Sequence, residues 1–429
     1  MGNHKKPFAR RLAKNLRRIC VIDMRNLAIA LASLLRWAWR GFDRDKRFRT
    51  ERFLLKQFVK RNTTYLKRHS SGKDLVIYCG QTPHEWGPDP AKIVGGSEEA
   101  VINLGRGLAR LGWNVTVYNS CGHRPIADNG VIYCPFWEFN PGDKQDAVIL
   151  WRWPSRLDWT INADRVFIDL HDALTDEVFI ENNRLATLDC IFVKSEYQKS
   201  LLRNISEAKI AVIPNGIDLS LLEGHEEKDP HLLINTSSPD RSLSILPSLF
   251  KQVKQRVPRA RLQWAYGWDF FELFHRNHPE GIRWMQHTRR EMEEAGIESL
   301  GHLSHAEVGK LYRRGSILAY PTEFVEIDCL SVRKAQACGC VPVTTDVGAL
   351  ADTVQFGIKI PAKVTNGGRD RFYHGLDDPD AQQRWVEAVV HLLHSPEQRI
   401  ELARQGKQWG RQFGWPEVAA RWDAVLRSR

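Results

Sequence analysis

The 429-residue sequence lacks an apolar run long enough to cross a bilayer: the stretch at residues 27–35 covers nine positions, against roughly 20 for a spanning helix. It also lacks the cysteine spacings that staple or metallate a fold. Its eight cysteines include no CxxC pair and have no ligand-spaced histidines beside them, which argues against a zinc site or a disulfide framework and fits a reducing cytoplasm. There is no low-complexity tract and no internal repeat, so fibrous and solenoid architectures are excluded. No GxGxxG follows a strand, which disfavours a dinucleotide oxidoreductase. What remains is a globular composition, 42% apolar and 26% charged, which excludes a disordered chain.

The length exceeds one ordinary core and predicts two domains with extras. Charge divides the chain more sharply than size does. Residues 1–68 carry 20 Lys and Arg against 4 Asp and Glu, a surplus of 16, and since the whole chain nets +11 the remainder is acidic at −5. In this arm Arg10, Arg11, Lys14, Arg17 and Arg18 alternate with Phe8, Leu12, Leu16 and Ile19, and Arg36, Trp37, Trp39 and Arg40 follow the apolar stretch. The pattern predicts an amphipathic helix lying in the plane of an anionic membrane surface. A basic helix packed on the body or on a partner protein stays open as the alternative. A signal peptide is disfavoured by the length of the basic region, myristoylation by Lys6, and nucleic-acid binding by the absence of a stacking surface in the folded body.

From residue 75 the pattern alternates strand and helix. Leu75-Val-Ile-Tyr-Cys79 is an apolar run ending at Gly80, a Pro- and Gly-rich loop follows, and residues 97–111 show helical spacing before the strand Asn114-Val-Thr-Val-Tyr118. Gly95-Gly96 precedes that helix, where bare backbone and free N–H groups can approach a phosphate or sugar. A simple turn is the competing reading of the pair. Further strands are expected at 147–151, 165–170 and 190–194, and His171 follows the second of these at a carboxyl end, where open α/β sheets place ligand-binding groups.

Residues 209–213 form a strand running into Pro214-Asn-Gly-Ile-Asp218, and the polar stretch 223–230 reads as the linker to a second domain. There, strands at 232–236, 261–266, 316–320 and 341–345 alternate with helices at 244–257, 304–314 and 330–338, the last ended by Gly339. Arg241 lies near a helix start, placed to share a diphosphate. Between Tyr320 and Leu330 the chain delivers Pro321-Thr-Glu-Phe-Val-Glu-Ile-Asp-Cys329 to a ligand position. In it Glu326 can accept from sugar hydroxyls, the backbone N–H groups of Cys329, Leu330 and Ser331 face phosphate, and Lys334 lies a turn further on. The expected division is 1–70 basic extension, 71–222 first domain, 223–405 second domain and 406–429 a terminal helix.

Three of these segments together resemble glycosyltransferase family 4: GGSEEAVINLGRGLARLGWNVTVY, VIPNGID and PTEFVEIDCLSVRKAQACGCVPVTTDVGAL. The resemblance runs from about Leu75 to the C-terminus and implies two facing Rossmann-like doubly wound parallel-sheet domains, the GT-B fold, with the last helix crossing back to the first domain. In that family a Glu, seven residues and a second Glu precede an Ala-x-Ala-x-Gly helix end. Aligning that end on Ala335, Ala337 and Gly339 puts the first acid at Glu326 and replaces the second by Lys334. Glu323 competes for the first position, but seven residues beyond it stands Ser331. The family's additional arginine before Arg241 is not evident, since Ser237 and Ser238 stand there.

The resemblance implies a retaining hexosyltransferase-like enzyme that uses a nucleotide-diphosphate sugar and needs no metal or other cofactor. Glu326 would contact the donor sugar, His171 a hydroxyl across the cleft, and Arg241 the diphosphate. Lys334 should pair with the diphosphate or with a nearby acid. With the arm, the expected acceptor is a glycan or lipid-linked molecule, in cell-surface polysaccharide synthesis at the inner face of the membrane. The alternatives are another enzyme on the same double fold, such as an epimerase or a phosphorylase, and a non-catalytic nucleotide-sugar-binding subunit.

Overall fold

The computed structural model describes residues 73–89, 95–364 and 373–428. The basic extension, and the lipid contact expected of it, lie outside the described residues.

Apolar runs form two sheets. The first contains β1 (Asp74–Tyr78), β2 (Asn114–Asn119), β3 (Ile126–Asp128), β4 (Val131–Pro135), β5 (Gln145–Trp151), β6 (Ala163–Asp169), β7 (Cys190–Val193) and β8 (Ile210–Val212), in the order β3-β4-β2-β1-β5-β6-β7-β8. Its pairings are parallel except that β3 returns on β4 through Asn129-Gly130. Both turn residues have positive φ, the chemistry of a two-residue hairpin. The second sheet contains β9 (Leu232–Asn235), β10 (Arg261–Trp264), β11 (Ile297–Ser299), β12 (Ile317–Tyr320), β13 (Val341–Thr345) and β14 (Ile358–Ile360), all parallel, in the order β11-β10-β9-β12-β13-β14. Helices on both faces bury the central strands completely, and their sequences are accordingly apolar runs instead of alternating ones.

The layers are completed by α1 (Gly96–Arg110), α2 (Leu246–Arg256), α3 (Pro279–Ala295), α4 (His305–Arg314), α5 (Leu330–Ala337), α6 (Pro379–His394), α7 (Pro396–Gly410) and α8 (Trp415–Ser428). Sequence reading placed no elements between residues 267 and 303, where the structure has α3 and β11. The linker is drawn onto the second domain by the half-buried Lys228, whose ammonium donates to the carbonyls of Gly315 and Gly339 at 2.8 Å each. No helix among the described residues is long and apolar enough to cross a membrane.

The C-terminus joins the two halves. α7 runs unbroken through residues 405 and 406, where a boundary was expected, and lies on α5. Gly410 permits that contact, since a Cβ there would stand 2.4 Å from that of Ala337. The chain turns at Arg411–Phe413, and α8 then packs on α1, with Gly107 facing Ala419 so closely that a Cβ would meet it at 2.5 Å. Trp422 stacks on Phe192 at 3.6 Å. Gly216 of the Pro-Asn-Gly segment is needed for the same reason, since a Cβ there would lie 2.5 Å from the Trp415 ring.

Each sheet reverses its winding at one place, beside β1 in the first and beside β9 in the second. Crevices open outside the carboxyl ends of strands at such points. The Gly95-Gly96 loop comes from β1, and the segments carrying Arg241 and Glu326 come from β9 and β12.

Candidate active site

On the first-domain side, Gly95 caps α1 without a side-chain hydrogen bond and its carbonyl accepts from the Glu99 N–H at 2.9 Å. A Cβ on Gly95 would stand 2.5 Å from a Glu98 carboxylate oxygen, and one on Gly96 would stand 3.2 Å from Leu330 Cδ1 of the other domain. Gly96 therefore eases the meeting of the starts of α1 and α5, while Gly95 leaves room for the Glu98 side chain. Where they meet, the Lys334 ammonium donates to both carboxylate oxygens of Glu99 at 2.9 Å each. Of the two partners expected for Lys334, the structure places the acid there. Glu99 gave no signal of this in sequence beyond its place in the first turn of α1.

Other contacts also cross the groove. Asp328 accepts from the Asn215 N–H at 2.8 Å while its second oxygen receives Arg333 at 2.5 Å, and Asp352 accepts from the Tyr197 N–H at 3.0 Å. His84, from the loop after β1, lies edge-on to Phe270 of the second domain, with ring centroids 5.1 Å apart. Both of its ring nitrogens are buried without a hydrogen-bond partner among the described residues.

On the second-domain side, the Arg241 guanidinium lies over the Phe324 ring with its carbon 3.0 Å from the centroid, and Nε stands 3.6 Å from an Asp240 oxygen. Its Nη1 has no hydrogen-bond partner among the described residues. Burial works against the charge, but the carboxylates of Asp240 and Glu326 outweigh it and hold the guanidinium protonated above its ordinary value. Thr322 ties the two segments together by donating its hydroxyl to the Arg241 carbonyl at 2.6 Å.

Glu326 is half-buried and accepts from the Tyr320 hydroxyl at 2.6 Å. Burial, and then the neighbouring Glu326 carboxylate, push the Tyr320 phenol well above its usual value, so it stays a donor. The backbone of Glu326 is fixed from beneath: its carbonyl accepts from the Ala349 N–H at 2.8 Å, and a Cβ on Gly348 would come 2.7 Å from that oxygen. Glu323 instead accepts from the Asp377 N–H at 2.6 Å and so anchors a neighbouring loop. Tyr320 was not singled out in sequence, although its place as the last residue of a strand at the switch point was a usable signal.

Cys329 precedes α5 in extended conformation, and its thiol is raised well above normal by burial first and Glu326 second, so it is a neutral packing group. The Leu330 and Ser331 N–H groups make no hydrogen bond among the described residues. The Ser331 hydroxyl points to the Thr236 carbonyl at 3.4 Å.

His171 follows β6 and is tied into a charged chain. Its Nε2 lies 2.8 Å from Asp169, whose other oxygen receives Lys194, and the Lys194 ammonium sits 4.9 Å from the Trp422 ring of α8. All three ionisable side chains are no more than 5% exposed. Burial pushes the His171 imidazole below its ordinary value, with Asp169 opposing only in part, so the ring is neutral and its Nε2–H donates to Asp169. Next to it Arg152, at φ 69°, makes two bonds to Asp172 at 2.9 and 2.6 Å.

The structure thus brings Gly95, Gly96, Leu330 and Lys334 into one contact zone and sets Arg241 beside Glu326. His171 is held in its own buried network. A surface hollow lined by Trp159, Asp164, Asn182 and Asp189 lies by the amino end of β6 and is separate from this groove.

No protein-family profile matches the chain. Among curated proteins it is similar to a component of the phosphatidylinositol N-acetylglucosaminyltransferase of Arabidopsis thaliana, at 21% identity over 249 residues, 56% of this chain and 49% of that protein. The chain therefore matches about half the length of that relative. Among solved structures it resembles the sucrose-phosphate synthase of Thermosynechococcus elongatus, with a TM-score of 0.63 and 17% identity over 83% of this chain and 98% of the other. HepE of Anabaena, solved with UDP and glucose, gives 0.60 and 12% identity over 83% of this chain and all of the other. A glycosyltransferase of Rickettsia africae gives 0.60 and 12% identity over 83% and 98%. The fold of this chain is the GT-B fold of the two-domain glycosyltransferases.

Proposed function

We propose that the protein is a retaining glycosyltransferase of family 4 that moves a sugar from a nucleoside-diphosphate sugar to a glycan or lipid-linked acceptor. The observation that carries this reading is the placing of Arg241, over the Phe324 ring, within electrostatic reach of Glu326 on the loops after β9 and β12, opposite a glycine-led helix of the other domain. An unpaired guanidinium nitrogen and the free first-turn N–H groups of α5 supply positive potential for a departing diphosphate. Glu326, held by Tyr320, is placed to accept from sugar hydroxyls, and only contacts that tighten as the glycosidic bond stretches accelerate the reaction. His171 spends Nε2–H on Asp169 and so presents Nδ1 as the ring's remaining polar atom.

The reading assigns the diphosphate charge to the chain's own cations and helix terminus, with no resident metal. HepE with UDP and glucose supports a uridine donor, and the name of the Arabidopsis relative supports a lipid acceptor. The basic residues 1–68 add the attraction to anionic lipid that would hold the enzyme at the inner face of a membrane, in cell-surface polysaccharide synthesis. The test is a screen of nucleotide sugars with the product anomer assigned by NMR. Transfer with retention from one donor, unchanged in EDTA, is expected, and an inverted product would sink the family assignment.

One observation favours a second reading, a non-catalytic nucleotide-sugar-binding subunit: Lys334 stands where the family's second acid is expected and is already engaged by Glu99. Donor-induced thermal stabilisation without turnover on any acceptor would decide for it.

A further inference from the structure

Glu99 and Lys334 form a contact whose two members belong to different domains. The carboxylate is 11% exposed and the ammonium 9%, so neither charge is left to water while the groove is shut. Each needs the other, because a buried charge without its partner is strongly unfavourable. The close approach of Gly96 to Leu330 keeps the two helix starts near enough for the pair to form. Any opening of the groove separates the pair and hydrates both ends.

The same lysine lies one turn beyond the free N–H groups of Leu330 and Ser331, where a diphosphate would be received. A diphosphate carries more charge than one carboxylate and competes with it for the ammonium. Glu99 is not stranded by that exchange. His305 at the start of α4 places Nδ1 3.9 Å from its other flank, and that imidazole is 60% exposed. An exposed second partner lets Glu99 turn away without remaining an unpaired buried charge.

We infer that Glu99 gates the donor site: it holds Lys334 in the empty, closed groove and surrenders it to the diphosphate of an incoming nucleotide sugar. This rests on the donor-site reading above. Glu99 is on this account a positioning residue, acting on the donor through Lys334.

The test is calorimetric titration of the full chain with uridine diphosphate, for wild type, Glu99→Gln, Lys334→Met and the exchanged pair Glu99→Lys with Lys334→Glu. Freeing the lysine should tighten binding about tenfold in Glu99→Gln, and removing it should weaken binding about tenfold in Lys334→Met. The exchanged pair should keep the wild-type melting temperature and bind as weakly as Lys334→Met. Shifts in the same direction for both single variants would mean a clasp that only closes the groove, and would overturn the exchange, as would an unchanged Glu99→Gln. Should Glu99→Gln fail to fold, Glu99→Asp, which shortens the reach but keeps the charge, carries the same expected tightening. If wild type binds none of the uridine, guanosine and adenosine diphosphates, the donor-site reading fails and the exchange falls with it.

Discussion

The two walls of the groove treat charge differently. In the first domain His171, Asp169 and Lys194 satisfy one another, Arg152 has Asp172, and Arg156, 2% exposed, donates through its two terminal nitrogens to the carbonyls of Tyr78, Cys79 and Trp151. In the second domain, among the described residues, Arg241 keeps a nitrogen without a partner and the α5 terminus keeps its first N–H groups. On the first wall the His171, Asp169, Lys194 and Arg152 side chains are matched by opposite charge before a ligand arrives, while on the second a guanidinium and a helix terminus have donors left over. Matched charges serve positioning, and unused cationic donors serve binding.

The contrast makes predictions of decreasing size. Lys194→Met leaves Asp169 as a buried charge with one partner fewer and should cost about 3–5 kcal/mol of stability, read from urea unfolding. A loss below about 1 kcal/mol would show that the first wall is not held by its charges. Arg241→Ala should do the opposite: little change in unfolding, but about 100-fold weaker nucleotide-diphosphate binding in calorimetry, the scale of a lost charge-assisted contact. Unaltered affinity would remove the distinction between the walls.

The smallest effect is one of pH. Burial lowers the His171 imidazole below its ordinary value, so under acid the unfolded chain takes up a proton that the folded ring refuses. Stability should therefore fall as pH drops below the ordinary histidine value of about 6.5 and go on falling to the folded value. Asp169 adds a second loss at lower pH: burial alone would raise its carboxyl, but His171 and Lys194 outweigh that and hold it below the usual range. In His171→Gln the higher of the two losses should shrink in melting temperatures measured between about pH 6.5 and 5, the remainder belonging to His84, His275 and His374, whose rings burial also lowers. If the variant follows wild type, another group carries the acid sensitivity.

Much of the fold was legible because parallel strands buried on both faces leave continuous apolar runs, as at Leu75–Tyr78 and Ile317–Tyr320. The β3–β4 hairpin was passed over although Asn129-Gly130 between apolar residues is a hairpin signal, because β3 is only three residues long. The segment from Pro321 to Lys334 was legible because one strand, one loop and one helix hold it. Tyr320 bonded to Glu326 needed the loop's path, and Asp169 bonded to His171 needed the bend after β6. Glu99 was beyond reach of any local pattern, since it lies 235 residues from Lys334.

By itself, then, the order of apolar runs, turns and glycines determined two parallel-sheet domains and which loops reach the carboxyl ends of their strands, because those signals act over a few neighbouring residues. Which charge meets which was decided only in three dimensions. Lys334 is a cation in any context, but whether it faces a carboxylate or a ligand depends on how α1 and α5 approach. That approach is eased by the absence of a side chain at Gly96 and held by the packing of α7 on α5 and of α8 on α1.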